Sequence, residues 1–181
     1  MLPTLRDRSI TLRPFAWADL PDMLALVQEK EVAATTLNIP YPCDDAEIEA
    51  WFRLQLQELE EGKVLRWAVT KTDELVGAMK LVTHPEYESA EIGYWIGKPY
   101  WGKGYASQAA QLVVDYAFTT LDMNRIEAHA MAENVGSSRV LSKLGMREEG
   151  YHPQLIKKFG EFKDVRTYGL LRDHWLSSQH H

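Results

Sequence analysis

One segment of the chain joins an apolar strand pattern, a glycine turn and a helix pattern. It runs from Glu91 to Ser107 and reads EIGYWIGKPYWGKGYAS. At the start of a helix, unpaired main-chain N–H groups and the helix dipole attract anions. Gly102 and Gly104 would let such an anion come close to the main chain. The segment therefore predicts a site for a phosphate-bearing ligand, with a plain strand-to-helix turn as the alternative interpretation.

Neither of two common nucleotide-binding motifs accounts for this segment. The chain lacks the Gly-x4-Gly-Lys-Ser/Thr spacing of a nucleoside-triphosphate P-loop. Gly102, Gly104 and Ser107 come near the dinucleotide fingerprint, but that fingerprint follows the first strand of a βαβ unit. Here the preceding sequence reads as consecutive hairpin strands, so both interpretations are excluded.

The hydrophobic pattern predicts the elements that position this segment. Small apolar residues recur at helical spacing after the glycines and predict an amphipathic helix; they are Ala106, Ala109, Ala110, Val113 and Ala117. A second short helix is expected at 136–144. Three strands form a meander before the glycine helix, with a possible bulge at Gly77. The strands predicted along the chain are 9–14, 64–71, 75–83, 90–96, 125–130, 150–158 and 162–171.

Two more helices are predicted near the N-terminus. Asp19 is expected to cap the first. Its apolar face contains Leu20, Leu24 and Val27. Asp44 and Glu47 form a capping box for the second helix. The predicted buried face of that helix consists of Ile48, Trp51, Phe52, Leu56 and Leu59. The segment 35–42 between the two helices reads as a connector, with substrate contact as the alternative.

A second motif begins at Asn134 and reads NVGSSRVLSKLGM. Together with the glycine helix and the order of the elements, it resembles the GNAT acetyltransferase superfamily, most nearly the RimJ/RimL branch of ribosomal-protein N-terminal acetyltransferases. The resemblance covers essentially the whole chain. It implies a single α/β (α+β) domain over 1–181, with the last few residues as a tail. The implied sheet is mixed and mostly antiparallel, with about seven strands splayed into a V and about four flanking helices.

The resemblance implies that acetyl-CoA lies in the V with its pyrophosphate on the glycine loop. Gly104 and Ala106 match family positions, whereas Trp101 stands where arginine or glutamine is common. Asn134 matches the position that holds the pantetheine arm or the following helix, and a helix N-cap is its alternative role. The implied CoA-binding residues are Trp95, Ile96, Gly102, Lys103, Gly104, Tyr105, Ala106, Ser107 and Asn134. No metal is expected, because the histidines lack the spacing of ligands.

The implied reaction is direct attack of an amine on the acetyl carbonyl. Glu91 is the expected general base, acting directly or through water with a raised pKa; a solvent-facing carboxylate is the alternative. Ser137 is expected to hydrogen-bond the leaving thiolate, unless it is an ordinary first-turn serine. Many family members have a tyrosine acid at the position that Leu141 occupies here. A main-chain N–H near Trp95 or Ile96 would stabilise the oxyanion.

The free-energy cost of deprotonating an amine indicates which class of acceptor is favoured. At pH 7 a lysine amine costs about 4.6 kcal/mol to deprotonate, whereas a peptide α-amine costs about 1 to 1.4 kcal/mol. A chain without an obvious strong base suits the second acceptor, which favours a peptide or protein N-terminus. The alternatives are a small amine, such as a polyamine, amino acid or aminoglycoside, and a non-catalytic CoA-binding module.

The composition indicates which binding partners and which cellular compartment to expect. The net charge of -6 over 181 residues argues against nonspecific nucleic-acid binding and fits cationic amines. No secretion signal or apolar run of membrane-spanning length is visible, so we expect a cytoplasmic protein without a membrane partner. Cys43 is the only cysteine and is expected to be a bystander. His180 and His181 are native or a tag remnant, and the oligomeric state is monomer or homodimer.

Overall fold

The computed structural model describes residues 2–42, 44–62 and 64–179. The expectations for Cys43, His180 and His181 concern positions that lie outside these residues. The strands are β1 Leu5–Arg6, β2 Thr11–Pro14, β3 Val64–Lys71, β4 Glu74–His84, β5 Ser89–Ile96, β6 Arg125–Met131, β7 Arg147–Lys158 and β8 Glu161–Leu171. Within the described residues they form one sheet in the order β1-β2-β3-β4-β5-β6-β8-β7. Among the strand pairings of the described residues, only that of β5 with β6 is parallel.

Six α-helices flank this sheet in the described part of the chain. They are α1 Leu20–Val27, α2 Lys30–Ala34, α3 Asp45–Glu60, α4 Tyr105–Thr119, α5 Val135–Lys143 and α6 Arg172–Ser178. Strand β1 and helices α2 and α6 were not predicted, because two to seven residues are too few to show a hydrophobic period. No helix in the described segments is both long and apolar enough to cross a membrane.

The two faces of the sheet pack against different helices. On one face α4 packs through small residues that allow close approach, and Ala109, Ala110, Val113 and Ala117 are fully buried. On the other face lie α1, α2 and α3. Strand β5 alternates between these layers, since Ile92 and Ile96 face α4 whereas Trp95 faces α1–α3.

The buried faces of α1 and α3 differ in part from the prediction. In α3, Ile48 and Phe52 are buried as expected, while Trp51 and Leu56 are partly buried at the edge of the core. In α1 the predicted face was right for Val27, which is buried, and wrong for the other two residues. Its buried residues are Met23, Leu26 and Val27, whereas Leu20 and Leu24 lie at the margin of the same cluster. A helix of eight residues has little more than two turns, so its periodicity defines the buried face only coarsely.

The sheet opens between β5 and β6. Their pairing runs from Ser89 opposite Arg125 to Ile92 opposite Ala128. Beyond these residues β5 follows β4 to Ile96, and β6 follows β8 to the end of β6. The two strands therefore separate after Ile92 and Ala128 and form the V that the family resemblance implied.

The predicted irregularity at Gly77 lies next to that glycine. Gly77 pairs with Val69 and Leu75 pairs with Thr70, which leaves Val76 as the extra residue of a β-bulge. A Cβ at Gly77 would lie 2.3 Å from the carbonyl oxygen of Trp95, so close strand approach requires glycine here. The bulge and the close approach lie in the part of β4 that supports the open end of β5.

Asp19 does not cap α1 with its side chain, which corrects the sequence prediction. Its buried carboxylate accepts hydrogen bonds from Arg13 Nη1 at 2.8 Å, from Arg13 Nη2 at 2.6 Å and from the Ala16 N–H at 2.8 Å. Burial raises the pKa of Asp19, but the hydrogen bonds from Arg13 and Ala16 outweigh burial and lower the pKa below its ordinary value. The carboxylate thus ties α1 to β2.

Replacing this carboxylate should destabilise the protein. Asp19→Asn leaves the half-buried Arg13 charge without its partner, so we expect the free energy of unfolding to fall by about 2 to 4 kcal/mol. Because the folded-state pKa is lowered, the wild-type advantage is complete above the unfolded pKa and disappears as pH falls through the folded value. Urea unfolding at pH 7 and pH 3 measures both effects. Asp22→Asn, on the exposed face of α1, is the control; equal stability of both variants would contradict the prediction.

Candidate active site

A cleft of about 650 Å³ opens where β5 and β6 separate. This volume is typical of small-ligand sites. One wall is formed by the start of α4 and by α5, and the other by α3 and the segment 35–39. The cleft therefore passes through the V and connects the α4 side of the sheet with the α1–α3 side.

The main chain at the start of α4 is open to this cleft. Gly102 and Gly104 have φ values of +74° and +83°, in the left-handed region that favours glycine. Gly104 is the N-cap of α4, with no side-chain cap on the first turn. A Cβ at Gly102 would meet nothing within 4 Å. An anion can therefore reach the N–H groups of the first turn, Tyr105 to Ser107, as the sequence predicted.

Two cations that the sequence analysis missed also line the cleft. Arg139 and Lys143 lie one turn apart on α5 and both face it. In the described part of the chain neither makes an ion pair or a side-chain hydrogen bond. Their i,i+4 spacing after Asn134 was the signal that could have revealed them. Lys103, by contrast, is not part of the cleft lining, and its Nζ lies 5.6 Å from the centroid of the Tyr100 ring.

The open edge of β5 presents main-chain groups to the cleft. The Gly97 N–H donates to the Val76 oxygen on the β4 side. Strand alternation therefore turns the main-chain groups of Ile96 toward the V and those of Trp95 toward β4. In agreement, the Trp101 indole donates to the Ile96 oxygen at 2.6 Å rather than a strand N–H. Of the two predicted oxyanion donors, the Ile96 N–H is the one that fits.

Asn134 connects α5 with the wall formed by 35–39. Its side-chain oxygen accepts from the Ser137 N–H at 3.0 Å, which makes it the N-cap of α5. Its Nδ2 donates to the Thr35 oxygen at 3.2 Å. The N-cap alternative is therefore confirmed, and the same side chain also holds the segment 35–39 against the cleft.

Ser137 makes a contact that its motif did not predict. Its Oγ lies 2.8 Å from the hydroxyl of Tyr94, which reaches α5 from β5. Burial raises the pKa of Tyr94 to about 12. Leu141, at the position where many relatives have tyrosine, is fully buried in the core. A tyrosine hydroxyl is thus present at this end of the cleft, but it comes from a strand instead of the helix.

Glu91 and His129 form a pair at the apex of the V. His129 Nδ1 lies 3.5 Å from Glu91 Oε2, and each side chain is about one-third exposed. Contact with His129 lowers the pKa of Glu91 despite burial, so the expectation of a raised pKa was wrong. Conversely, the Glu91 carboxylate raises the pKa of His129 above its ordinary value, although burial opposes this. His129 lies in the strand predicted over 125–130, but no local pattern pairs it with Glu91.

The profile of the acetyltransferase (GNAT) domain family matches residues 9–147 of the chain. The chain belongs to the GNAT acetyltransferase family. The uncharacterised N-acetyltransferase p20 of Bacillus licheniformis is 33% identical over 94% of this chain and 97% of its own length. Spermidine N(1)-acetyltransferase of Vibrio cholerae is 26% identical over 94% of this chain and 98% of its own. The ribosomal-protein-serine acetyltransferase of Escherichia coli is 27% identical over 63% and 64%.

A solved structure supports the same assignment at the level of the fold. RimL, a ribosomal L7/L12 α-N-protein acetyltransferase in complex with coenzyme A, matches with a TM-score of 0.86 over 95% of this chain and 99% of its own, at 21% identity. The mixed α/β GNAT fold is thereby confirmed, and ribosomal-protein N-acetyltransferases are among the relatives of the chain, in agreement with the predicted resemblance. This GNAT protein is an N-acetyltransferase that transfers an acetyl group to an amine.

The GNAT cleft has features that fit CoA. Its open glycine loop at the start of a 15-residue helix suits a pyrophosphate, and Arg139 and Lys143 offer unpaired positive charge nearby. The predicted CoA-binding residues that line the cleft are Trp95, Ile96, Gly102, Gly104, Tyr105, Ala106, Ser107 and Asn134. The two predicted catalytic residues, Glu91 and Ser137, line it as well. Among the described residues, no group of three or more histidine, cysteine or acidic side chains is arranged to hold a metal ion.

Proposed function

We propose that this protein acetylates the α-amine of a peptide or protein N-terminus, using acetyl-CoA. The main support is the His129–Glu91 pair, which lies on the α1–α3 side of the cleft. We call this side, opposite the CoA loop of α4, the acceptor side. Passing a proton from an α-ammonium to an ordinary histidine costs at most about 2 kcal/mol, and from a lysine ammonium about 5 kcal/mol. Glu91 raises the pKa of His129, which reduces both costs and leaves the α-ammonium as the cheaper proton source.

The charges on the acceptor side support a singly charged acceptor over a polyamine. The charged side chains that line this side include Arg66, Lys80, Glu91 and His129. Glu58 pairs with Arg66, and Glu133, which also lines the cleft, pairs with Lys163. Positive and negative groups are thus balanced, whereas a site for a polycation needs an excess of carboxylates. A polyamine is the second candidate acceptor, because one relative is a spermidine N(1)-acetyltransferase.

Each polar group of the cleft then has a distinct role. Acetyl-CoA supplies the activated acetyl group. The Ile96 N–H faces the developing oxyanion, because it lies on the open edge of β5. His129 accepts the proton of the incoming ammonium, and Glu91 orients its ring and stabilises the charged form. Ser137 donates a hydrogen bond to the leaving sulfur.

Tyr94 orients Ser137 and does not supply the proton. Its pKa is raised to about 12 by burial. Proton transfer from such a phenol to a thiolate with a pKa near 8.5 would cost about 5 kcal/mol. The neutral hydroxyl can instead hold Ser137 Oγ at 2.8 Å in one rotamer.

Removal of this hydroxyl should have a small effect. Because Tyr94→Phe loses one orienting hydrogen bond, we expect kcat to fall by about 3- to 10-fold with little change in KM for acetyl-CoA. Steady-state kinetics against a peptide acceptor measure this. Tyr168→Phe is the matched control, since it removes the analogous 2.9 Å bond to Ser138 on the next position of α5. A loss above roughly 100-fold for Tyr94→Phe alone would indicate proton transfer by the phenol.

The acceptor class can be tested by a panel of amines. CoA thiol release should be observed with peptides that begin with serine, alanine or methionine, and should vanish when the same peptides carry an acetylated N-terminus. Spermidine, free amino acids and an aminoglycoside complete the panel. Turnover confined to a small amine would overturn the proposed acceptor, while turnover with peptides alone would support it and reveal the preferred first residue.

A further inference from the structure

The acceptor side of the cleft contains a primary amine of the protein itself. Lys80 lies on β4 opposite Gly93 of β5. A Cβ at Gly93 would lie 2.5 Å from Lys80 Cε and 3.2 Å from Lys80 Cγ, so the lysine side chain lies directly across this glycine. Gly93 is the first residue of β5 beyond its pairing with β6. Lys80 therefore extends over the apex of the V.

The surroundings of Lys80 leave its amine available. It lines the cleft together with Glu91 and His129. In the described residues its Nζ forms no hydrogen bond or ion pair, in contrast to Lys98 and Lys163, which are held by carboxylates. The charged groups around it are Glu91, Arg66 and Glu58. Burial lowers the pKa of Lys80, which increases the neutral, nucleophilic fraction of the amine.

We propose that Lys80 is a site of intramolecular self-acetylation. The proposal rests on the acetyl-transfer site described above, since the acetyl donor must occupy the same V. The neutral Nζ forms an amide bond with the acetyl carbon, and the carbon–sulfur bond breaks with its electron pair on sulfur. One N–H proton moves through His129 to the thiolate. The products are acetyl-lysine at position 80 and CoA with a free thiol, so atoms and charge balance.

Self-acetylation and acceptor turnover compete in this arrangement. An external amine must enter the space over Gly93 that the Lys80 side chain crosses. An acetylated Lys80 adds a neutral acetamide to that space and removes the positive charge beside Glu91. The modified protein should therefore accept peptides more slowly than the unmodified protein.

Mass spectrometry of the full chain tests the proposal. After incubation with acetyl-CoA and no acceptor, we expect a gain of one acetyl group that maps to Lys80. The rate constant should not depend on protein concentration, because the reaction is intramolecular, and a peptide acceptor should slow it. Lys80→Arg should abolish the gain, whereas Lys71→Arg, at an exposed position of β3, should label as the wild type does.

The outcomes separate this proposal from the proposed function. Peptide turnover without acetylation of Lys80 would overturn self-acetylation and leave the acceptor class intact. Acetylation of Lys80 with no peptide turnover would support self-acetylation and overturn the peptide acceptor. Labelling spread over exposed lysines, or rising with protein concentration, would also overturn it. Site mapping in the wild-type protein decides these outcomes even if Lys80→Arg does not fold.

Discussion

His129→Gln should lower kcat/KM for a peptide acceptor by about 100- to 10,000-fold, the range typical of a lost general base. Glutamine keeps the polar character of the side chain but cannot take a proton from the incoming ammonium. The loss should appear mainly in kcat, while binding of acetyl-CoA, measured by calorimetry, stays unchanged because His129 lies on the opposite face of the sheet from α4. Retention of wild-type turnover would exclude His129 as the base.

Glu91→Gln should move the pH profile rather than abolish activity. The base must be neutral, so kcat/KM falls as pH drops through the pKa of His129. Glu91 raises that pKa. Its replacement by glutamine lowers the pKa, and the acid limb should shift to lower pH. Glu127→Gln should shift the acid limb in the same direction by a smaller amount, because the Glu127 carboxylate also raises the pKa of His129 but contributes less. An unmoved acid limb in Glu91→Gln would contradict the proposed pair.

Features that depend on neighbours in sequence were predictable. The glycine turn before α4 and the Asn134 cap of α5 each involve residues within a single turn, so the spacing in the sequence is enough to predict them. Asp19 shows where this local logic fails. A carboxylate at the start of a helix can accept hydrogen bonds from the first turn of the helix or from a neighbouring arginine. Here the carboxylate accepts from Arg13 of β2, which the local sequence pattern does not reveal.

The catalytic contacts depend on strand pairing that no local pattern specifies. Glu91 and His129 meet because β5 and β6 run parallel with Glu91 opposite Glu127, two residues before His129. A shift of one residue in this register would turn one partner to the other face of the sheet. Tyr94 and Ser137 likewise meet only after α5 has packed against the open end of β5. The sequence therefore predicted the candidates for the chemistry more readily than their partners.

Gly104→Val should weaken acetyl-CoA binding by roughly 10- to 100-fold. Valine in the left-handed region costs about 1 to 3 kcal/mol, and the loop can relieve this strain by leaving the conformation that exposes the first N–H groups of α4. Binding must then restore the strained conformation, and each 1.4 kcal/mol raises Kd by about tenfold. Calorimetry with CoA measures the change directly, independently of any acceptor.

Gly62→Val separates loss of the binding site from loss of stability. Gly62 has a φ of +73° and, like Gly102, open space where a Cβ would be added. It follows α3 and does not line the cleft, so valine there introduces comparable backbone strain without touching the CoA loop. We expect both variants to lose stability and only Gly104→Val to lose affinity. If both bind CoA as tightly as the wild type, the main chain at the start of α4 is not the phosphate site, and recognition must come from side chains such as Arg139 and Lys143.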